Sequence, residues 1–177
     1  MQRKYQVFAS STYSDLVEER QDTLKSILDL GHIPSGMEGF FAADQDQFEY
    51  IKKIIDECDY YILIIAGRYG SVDENGISYT EREYDYAVSK GITVLAFIHN
   101  DTASLPAGRV DTEPSLIERL RLFKEKVSQK RLVSCWNNRE QLKANIIISL
   151  SPKPSLTYPA LDGHAAISSR TKMFYRN

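Results

Sequence analysis

Short apolar runs alternate along this chain with segments whose apolar residues recur at the spacing of a helix. The runs at 60–66 and 92–98 are apolar throughout, which is typical of central strands covered on both faces. The segments between such runs place apolar residues three and four positions apart, as the buried face of a helix requires. The pattern predicts strands at 5–10, 32–37, 60–66, 92–98 and 131–136. It predicts helices at about 15–30, 47–56, 79–90, 114–128 and 138–150.

Strict alternation of strand and helix predicts an α/β fold, with one parallel sheet that has helices on both faces. Right-handed crossovers favour a flavodoxin-like, doubly wound five-stranded sheet of order 2-1-3-4-5. Pro34 places the second strand at an edge, because proline has no N–H to donate to a neighbouring strand. In this order the winding reverses between the first and third strands. The loops at 10–14 and 67–78 are therefore expected to meet and form a site.

The composition is that of an ordinary soluble globular domain. The 177 residues are 42% hydrophobic and 26% charged, which suffices for one domain with a sizeable core. A net charge of −2 gives no electrostatic sign of binding to nucleic acid or to an anionic membrane. Cys58 and Cys135 lack the spacing of a disulfide framework or a metal site. Both are interpreted as buried, reduced thiols, which fits a cytoplasmic protein.

Several common chemistries lack their residues here. No Gly-x-Gly-x-x-Gly follows the first strand, so a Rossmann dinucleotide site is not expected. The glycine spacing at 31–36 is that of a P-loop, but Met-Glu stands where Lys and Ser or Thr are required. The turn after the first strand lacks the acidic cluster of a phosphoryl-accepting receiver domain. His32, His99 and His164 share no ligand spacing, so neither a metal nor a cofactor is predicted.

Four motifs of the chain together resemble a known family. They are VFASSTYSD at 7–15, GHIPSGME at 31–38, DYYILIIAGRYGS at 59–71 and SYTEREYDYA at 78–87. The first and last resemble motifs of Toll/interleukin-1 receptor (TIR) domains, and all four resemble a bacterial TIR-like group, DUF4062. The resemblance covers roughly 4–150 and implies a TIR-like domain at 1–150. No periodic apolar pattern continues beyond it, so 151–177 is predicted to be a linker or tail leading to further domains.

Bacterial TIR-like domains often hydrolyse NAD, release nicotinamide and act as effectors of antiphage immunity. The resemblance therefore implies that NAD is a substrate rather than a cofactor. It also implies that the domain self-associates, becomes active on assembly and is fused to a sensor domain. Glu83 is the implied catalytic residue, because Tyr79 precedes it by four positions, as an aromatic residue precedes the family's active glutamate.

A single carboxylate suits this reaction. Nicotinamide leaves as a neutral ring through an oxocarbenium-like state, so no general acid is needed. Ser78-x-x-Glu81 reads as a capping box, which favours Glu81 as a residue of the helix start. Glu83 lies four positions before Ala87 at the border of the buried face, which favours Glu83 as the catalyst. Thr80-x-x-Glu83 also spells a capping box, and the helix N-terminus is expected to keep either glutamate ionised.

Six further residues are candidate substrate ligands, and most have a structural alternative. They are Ser10, Ser11, Phe41, Arg68, Tyr69 and Tyr79. The serine hydroxyls suit ribose or phosphate, while side chains of the turn at 10–15 are otherwise expected to cap the first helix. The phenylalanine, next to Phe40, suits a nicotinamide or adenine ring, or else a contact between subunits. The arginine suits the pyrophosphate or a structural ion pair, and Tyr69 suits a pocket wall or the core.

Two other functions stay open at this point. One is a nucleoside 2-deoxyribosyltransferase-like or nucleotide N-glycosidase activity, which shares the fold and the use of a glutamate but releases a different base. The other is a non-catalytic TIR-like adaptor that assembles or binds a nucleotide signal. Free nicotinamide, a freed base, or binding without turnover separates these functions.

Overall fold

The computed structural model of the chain describes residues 3–36, 45–130 and 133–151. In these ranges strands and helices alternate as predicted. The strands are β1 (Gln6–Ser11), β2 (Ile33–Ser35), β3 (Tyr60–Ile65), β4 (Thr93–His99) and β5 (Val133–Trp136). The helices are α1 (Val17–Asp29), α2 (Gln45–Asp56), α3 (Tyr79–Ser89), α4 (Pro114–Lys130) and α5 (Arg139–Leu150).

The five strands form one parallel sheet in the order β2-β1-β3-β4-β5. This confirms the α/β, flavodoxin-like prediction and the edge position of the strand that contains Pro34. Between β1 and β3, Phe8 lies opposite Tyr61 and Ser10 lies opposite Leu63. Because side chains alternate along a strand, these four residues point to the same face of the sheet.

Each face of the sheet is covered by its own apolar layer. On one face α2, α3 and α4 pack on Phe8, Leu63, Ile65 and Ala96 through residues such as Ile55, Tyr84 and Phe123. On the other face α1 and α5 pack on Val7, Ile62, Ile64 and Phe97 through Leu16, Ile27, Leu142 and Ile146. Full burial of one such side chain stabilises a fold by about 1.5–3 kcal/mol, so these two layers dominate the stability of the domain.

The helix starts agree with the predicted caps in one case and differ in another. Ser78 is the N-cap of α3, and its Oγ accepts from the Glu81 N–H at 3.2 Å, as the sequence predicts. The expected cap of α1 is wrong, because Leu16 is the N-cap and makes no side-chain capping hydrogen bond. Asp15 is instead buried beside Thr12 and Arg68.

The two cysteines differ in exposure. Cys58 is buried as predicted, and burial raises the pKa of its thiol to about 11. The prediction that Cys135 is buried is wrong, because it lies on the edge strand β5 with its side chain turned away from that of Trp136. Trp136 is buried, and the His99 ring stands perpendicular to its ring with the centroids 4.6 Å apart. No helix within the described residues has the length and apolar character to cross a membrane.

Candidate active site

The candidate site lies where β1 and β3 end, at the predicted reversal of the winding. Three loops meet there: the turn after β1, the loop after β3 and the loop after β4. The Tyr69 N–H donates to Asp111 Oδ2 at 2.7 Å, and the Asp111 N–H donates to the Gly67 carbonyl at 3.0 Å. These bonds fix the loop between β3 and α3 against the loop between β4 and α4. The carboxyl end of the sheet thus presents a rigid frame, as open α/β sheets do at their ligand sites.

Ser10 and Glu83 come together at this edge. Ser10 Oγ donates to Glu83 Oε2 at 2.6 Å, across 73 positions of sequence. The two residues are only 2% and 4% exposed. β1 supplies the hydroxyl and the second turn of α3 supplies the carboxylate, so two predicted site residues form one buried pair.

Burial dominates the electrostatics of Glu83. Loss of hydration raises the pKa of this carboxyl to about 7, while the hydrogen bond from Ser10 and the nearby Arg20 charge favour the ionised form. Desolvation opposes the expected effect of the helix N-terminus, which was to keep Glu83 ionised. Both protonation states of Glu83 are accessible near neutral pH.

Arg20 is a charged residue in this site that the motifs do not single out. Its Nη1 donates to Ser11 Oγ at 3.0 Å, and Ser11 Oγ donates to the Thr12 carbonyl at 2.7 Å. Ser11 therefore links β1 to α1 rather than capping the helix. The sequence could have revealed Arg20 through its position, because Arg20 lies on the buried face of the helix between Leu16 and Ile27. A charge on such a face indicates a buried partner.

Glu81 has a different environment from Glu83. Tyr69 donates its hydroxyl to Glu81 Oε2 at 2.5 Å, and Lys126 Nζ donates to Glu81 Oε1 at 2.9 Å. Lys126 also donates to Asp85 Oδ2 at 2.7 Å. The Glu81 carboxylate thus joins the loop after β3 to α4, which agrees with a residue of the helix start. Burial and then the bond to Glu81 raise the pKa of Tyr69, whose side chain lies in the core.

Arg68 follows β3 and lies beside a buried acid. Its Nη1 donates to Ser14 Oγ at 3.0 Å. Burial raises the pKa of Asp15, and this rise is opposed by Thr12 and by the charge of Arg68. Arg68 is therefore bonded to the turn after β1, and both interpretations of Arg68, as a substrate ligand and as a structural residue, stay predictions. Asp15 and Asp111 are polar residues of the site that sequence patterns do not reveal, because their partners come from other loops.

The remaining candidates are Tyr79 and Phe41. Tyr79 begins α3, donates its N–H to the Ser71 carbonyl at 3.1 Å and has the Arg82 guanidinium 5.9 Å from its ring. Phe40 and Phe41 lie outside the described residues. Within the described ranges, no group of three or more acidic, histidine or cysteine side chains is arranged to hold a metal ion.

These features define an open α/β domain of flavodoxin-like topology with a buried hydroxyl–carboxylate pair where its winding reverses. The chain belongs to the family described as Domain of unknown function (DUF4062), whose model matches residues 6–151. This match confirms the family predicted from the four motifs. No curated protein shows a significant match to the chain.

Some solved structures are similar to this chain at low identity. The CMP N-glycosidase BcmB of Clostridium botulinum is 13% identical with a TM-score of 0.52, covering 82% of this chain and 99% of that one. The diflavin flavoprotein A3 of Nostoc sp. is 12% identical with a TM-score of 0.43, covering 83% and 88%. The similarity to the glycosidase supports the fold. The glycosidase is not described as a TIR domain, so membership of the TIR superfamily stays a prediction.

Proposed function

We propose that this domain hydrolyses the N-glycosidic bond of a nucleotide, with Glu83 as the catalytic carboxylate. The observation that carries the proposal is the 2.6 Å bond between Ser10 Oγ and Glu83 Oε2 where the winding of the sheet reverses. A fixed carboxylate in a water-poor site stabilises the positive charge that develops on the ribose as the base departs. That the similar glycosidase structure is described as cleaving a nucleotide supports this reaction class.

We propose NAD as the substrate, with nicotinamide as the leaving group. Nicotinamide departs from a pyridinium as a neutral ring, so one ionised carboxylate is sufficient and no acid is required. The six candidate ligands named from the sequence remain proposed contacts of this substrate. The clearest is Arg68, whose partly exposed guanidinium follows β3 and suits the pyrophosphate.

A nucleoside monophosphate is the second candidate substrate, and the pKa of Glu83 favours it. A neutral pyrimidine is a poor leaving group until it is protonated, so this reaction needs an acid. A carboxyl whose pKa is raised to about 7 still carries its proton in a large fraction of the molecules at neutral pH and suits that task. CMP is the natural probe, because it is the nucleotide in the description of the similar glycosidase.

The pH dependence of kcat/KM distinguishes these two substrates. If the ionised form of Glu83 stabilises the departing ribosyl cation, activity on NAD rises with pH and levels off above about 7. If the protonated form donates to the base, activity on CMP falls as pH rises through the same value. Release of nicotinamide or cytosine, followed across the pH range, gives the answer for each substrate.

Substitution of each glutamate separates the catalytic residue from the residue of the helix start. We expect Glu83→Gln to lower kcat by at least about 100-fold, as loss of one electrostatic stabiliser does. Glu81→Gln keeps the Tyr69 bond and loses only the ion pair with Lys126, so we expect its kcat within about tenfold of the wild type. Glu74→Gln, the same change at an exposed position, is the matched control.

Three results of that experiment contradict specific claims. Full activity of Glu83→Gln rules out Glu83 as the catalyst. A deeper loss in Glu81→Gln than in Glu83→Gln transfers the role to Glu81. Binding of NAD or CMP without turnover by the wild type, at high protein concentration, favours the non-catalytic adaptor.

We also propose that the domain self-associates and is activated by assembly, as an effector of antiphage defence. The TIR-like motifs support this proposal. Activity per molecule is then expected to rise with protein concentration, in parallel with the oligomer fraction measured by light scattering. Constant activity per molecule across a change in oligomeric state contradicts activation by assembly.

A further inference from the structure

Tyr61 carries a hydroxyl that its place in the core does not require. The residue is fully buried in β3, and its ring stacks on Phe8 with centroids 5.5 Å apart and planes 9° from parallel. A phenylalanine fills the same space and makes the same stack. The hydroxyl nevertheless makes no hydrogen bond of standard geometry among the described residues, although Ser10 lies near enough to act on the pKa of Tyr61. A buried hydroxyl without a partner opposes folding, and its surroundings indicate whether a reason in function offsets this cost.

The surroundings of this hydroxyl supply that reason. The register of β1 and β3 places Ser10 and Tyr61 on the same face of the sheet, beneath α3. Ser10 is also the residue that holds Glu83 at 2.6 Å. Burial, followed by the charge of Glu83, raises the pKa of Tyr61, and Ser10 opposes that rise. Tyr61 therefore faces the Ser10–Glu83 pair from inside the core.

We propose that Tyr61 is a positioning residue for the catalytic carboxylate. When Glu83 is ionised, the Tyr61 hydroxyl donates to Ser10 Oγ, while Ser10 donates its own proton to Glu83. In this relay of two hydroxyls no proton leaves its oxygen, and both O–H groups are oriented towards the negative charge of Glu83. Successive donors of this kind polarise one another, so the outer hydroxyl strengthens the bond that Ser10 makes to the carboxylate. This inference deepens the proposed function and rests on it for its catalytic meaning.

Other charged residues act on Glu83 and Tyr61, and they stay in place when the Tyr61 hydroxyl is removed. Arg20, from α1, acts on both Glu83 and Tyr61. Asp85, from α3, acts on Tyr61. Because Tyr61→Phe leaves both untouched, a change in the titration of Glu83 in this variant reports on the hydroxyl itself.

The test is Tyr61→Phe in the full chain, with Tyr84→Phe as the matched control. Tyr84 is also buried and its hydroxyl also lacks a hydrogen-bond partner, but its ring packs on Phe123 with centroids 5.6 Å apart. Titration of the Glu83 carboxyl by carbon-13 NMR needs no substrate. We expect the pKa of Glu83 to rise by about one unit in Tyr61→Phe, a tenfold change in its protonation constant. We expect no change in Tyr84→Phe.

The pH profile of activity and the pKa of Glu83 in a double variant test the same proposal. The limb of the pH profile that Glu83 controls is expected to move to higher pH by the same amount as the NMR titration, with NAD or with CMP. In a Ser10→Ala background, adding Tyr61→Phe is expected to have no further effect on the pKa, because the relay is already broken. A further rise in that background overturns the relay.

The remaining outcomes separate this inference from the proposed function. An unchanged pKa of Glu83 in Tyr61→Phe overturns the inference, whether or not the protein is active. An equal rise in Tyr84→Phe also overturns it, since general loosening of the core then explains both. A rise specific to Tyr61→Phe, with no matching shift in the activity profile, supports the relay and contradicts the catalytic role of Glu83.

Discussion

Two opposing influences act on the carboxyl of Glu83. Enclosure favours the neutral acid, whereas Ser10 and Arg20 favour the carboxylate, and enclosure is the larger effect. A fold under selection for stability alone has little use for an acid at a position that is 4% exposed. The residue is therefore expected to lower the stability of the protein while it serves chemistry.

Glu83→Gln is expected to stabilise the fold at alkaline pH. The pKa of Glu83 is about 7 in the folded protein, against an ordinary value of 4.5, so the folded state holds an extra proton between these values. Stability from this group is therefore full below about pH 4.5, falls as pH rises to about 7 and is constant above. At about pH 8 the variant is expected to exceed the wild type by up to about 3 kcal/mol in free energy of unfolding.

Urea denaturation of both proteins at about pH 4 and about pH 8 measures this difference. The advantage of Glu83→Gln is expected to disappear at the lower pH, where the wild-type carboxyl is also neutral. Glu74→Gln, which is exposed, is expected to show no such dependence. A variant that is less stable than the wild type at about pH 8 shows instead that the ionised carboxylate supports the fold.

For single residues, the sequence predicts members of the site but not which of them form hydrogen bonds with each other. Ser10 and Glu83 each stand in a motif, and their pairing across 73 positions depends on the strand order. The roles of Arg20 and Tyr61 were not predicted, because an arginine in a helix and a tyrosine in an apolar strand have ordinary local explanations. The local sequence predicts that the helix dipole favours the ionised form of Glu83, but it does not reveal that burial of this carboxyl favours the neutral form.

Among the elements, the two loops above the sheet are joined at a glycine. A Cβ on Gly67 would stand 2.7 Å from Val110 Cγ1 and closer still to the Arg109 carbonyl. The neighbouring backbone also bonds to this glycine, since the Asp111 N–H donates to its carbonyl. The absence of a side chain at Gly67 is thus what allows the loop after β4 to approach the loop after β3.

Gly67→Ala is expected to separate these loops. The added methyl group overlaps backbone as well as side-chain atoms, so we expect a loss of roughly 1–3 kcal/mol in stability, as overpacking of a close contact produces. Gly108→Ala is the matched control, because no atom lies within 4 Å of the added carbon, and its effect is expected within about 0.5 kcal/mol. Thermal unfolding of both variants checks this, and equal midpoints would show that the loops adjust freely.

The strands and helices themselves are largely predictable from the chain. Apolar runs and helical spacing give most element ends within about two residues, because two buried layers impose those patterns. The cap of α1 and the exposure of Cys135 were not predictable in this way. Asp15 is buried beside Arg68 instead of capping the helix, and the exposure of Cys135 depends on the position of β5 at the edge of the sheet.

For the whole molecule, the predicted domain boundary near residue 150 awaits a direct test. Ile146 and Leu150 are buried in the layer between α5 and the sheet. A chain ending at 151 is expected to keep the unfolding midpoint of the full chain, because it retains that layer. A chain ending at 145 loses both side chains and is expected to be destabilised by several kcal/mol, about 2–5 for each large residue lost. A lower midpoint for the chain ending at 151 places the boundary further along.

Pro34 has a consequence for how copies of this domain can meet. The Ile33 N–H points towards β1, where it donates to the Tyr5 carbonyl at 2.8 Å, so the next backbone nitrogen along β2 points outwards. That nitrogen belongs to Pro34 and carries no hydrogen. The outer side of this three-residue strand therefore offers no amide to a strand from another molecule. Filaments built by extending the sheet at this edge are disfavoured, so copies that meet on this side must do so through side-chain surfaces.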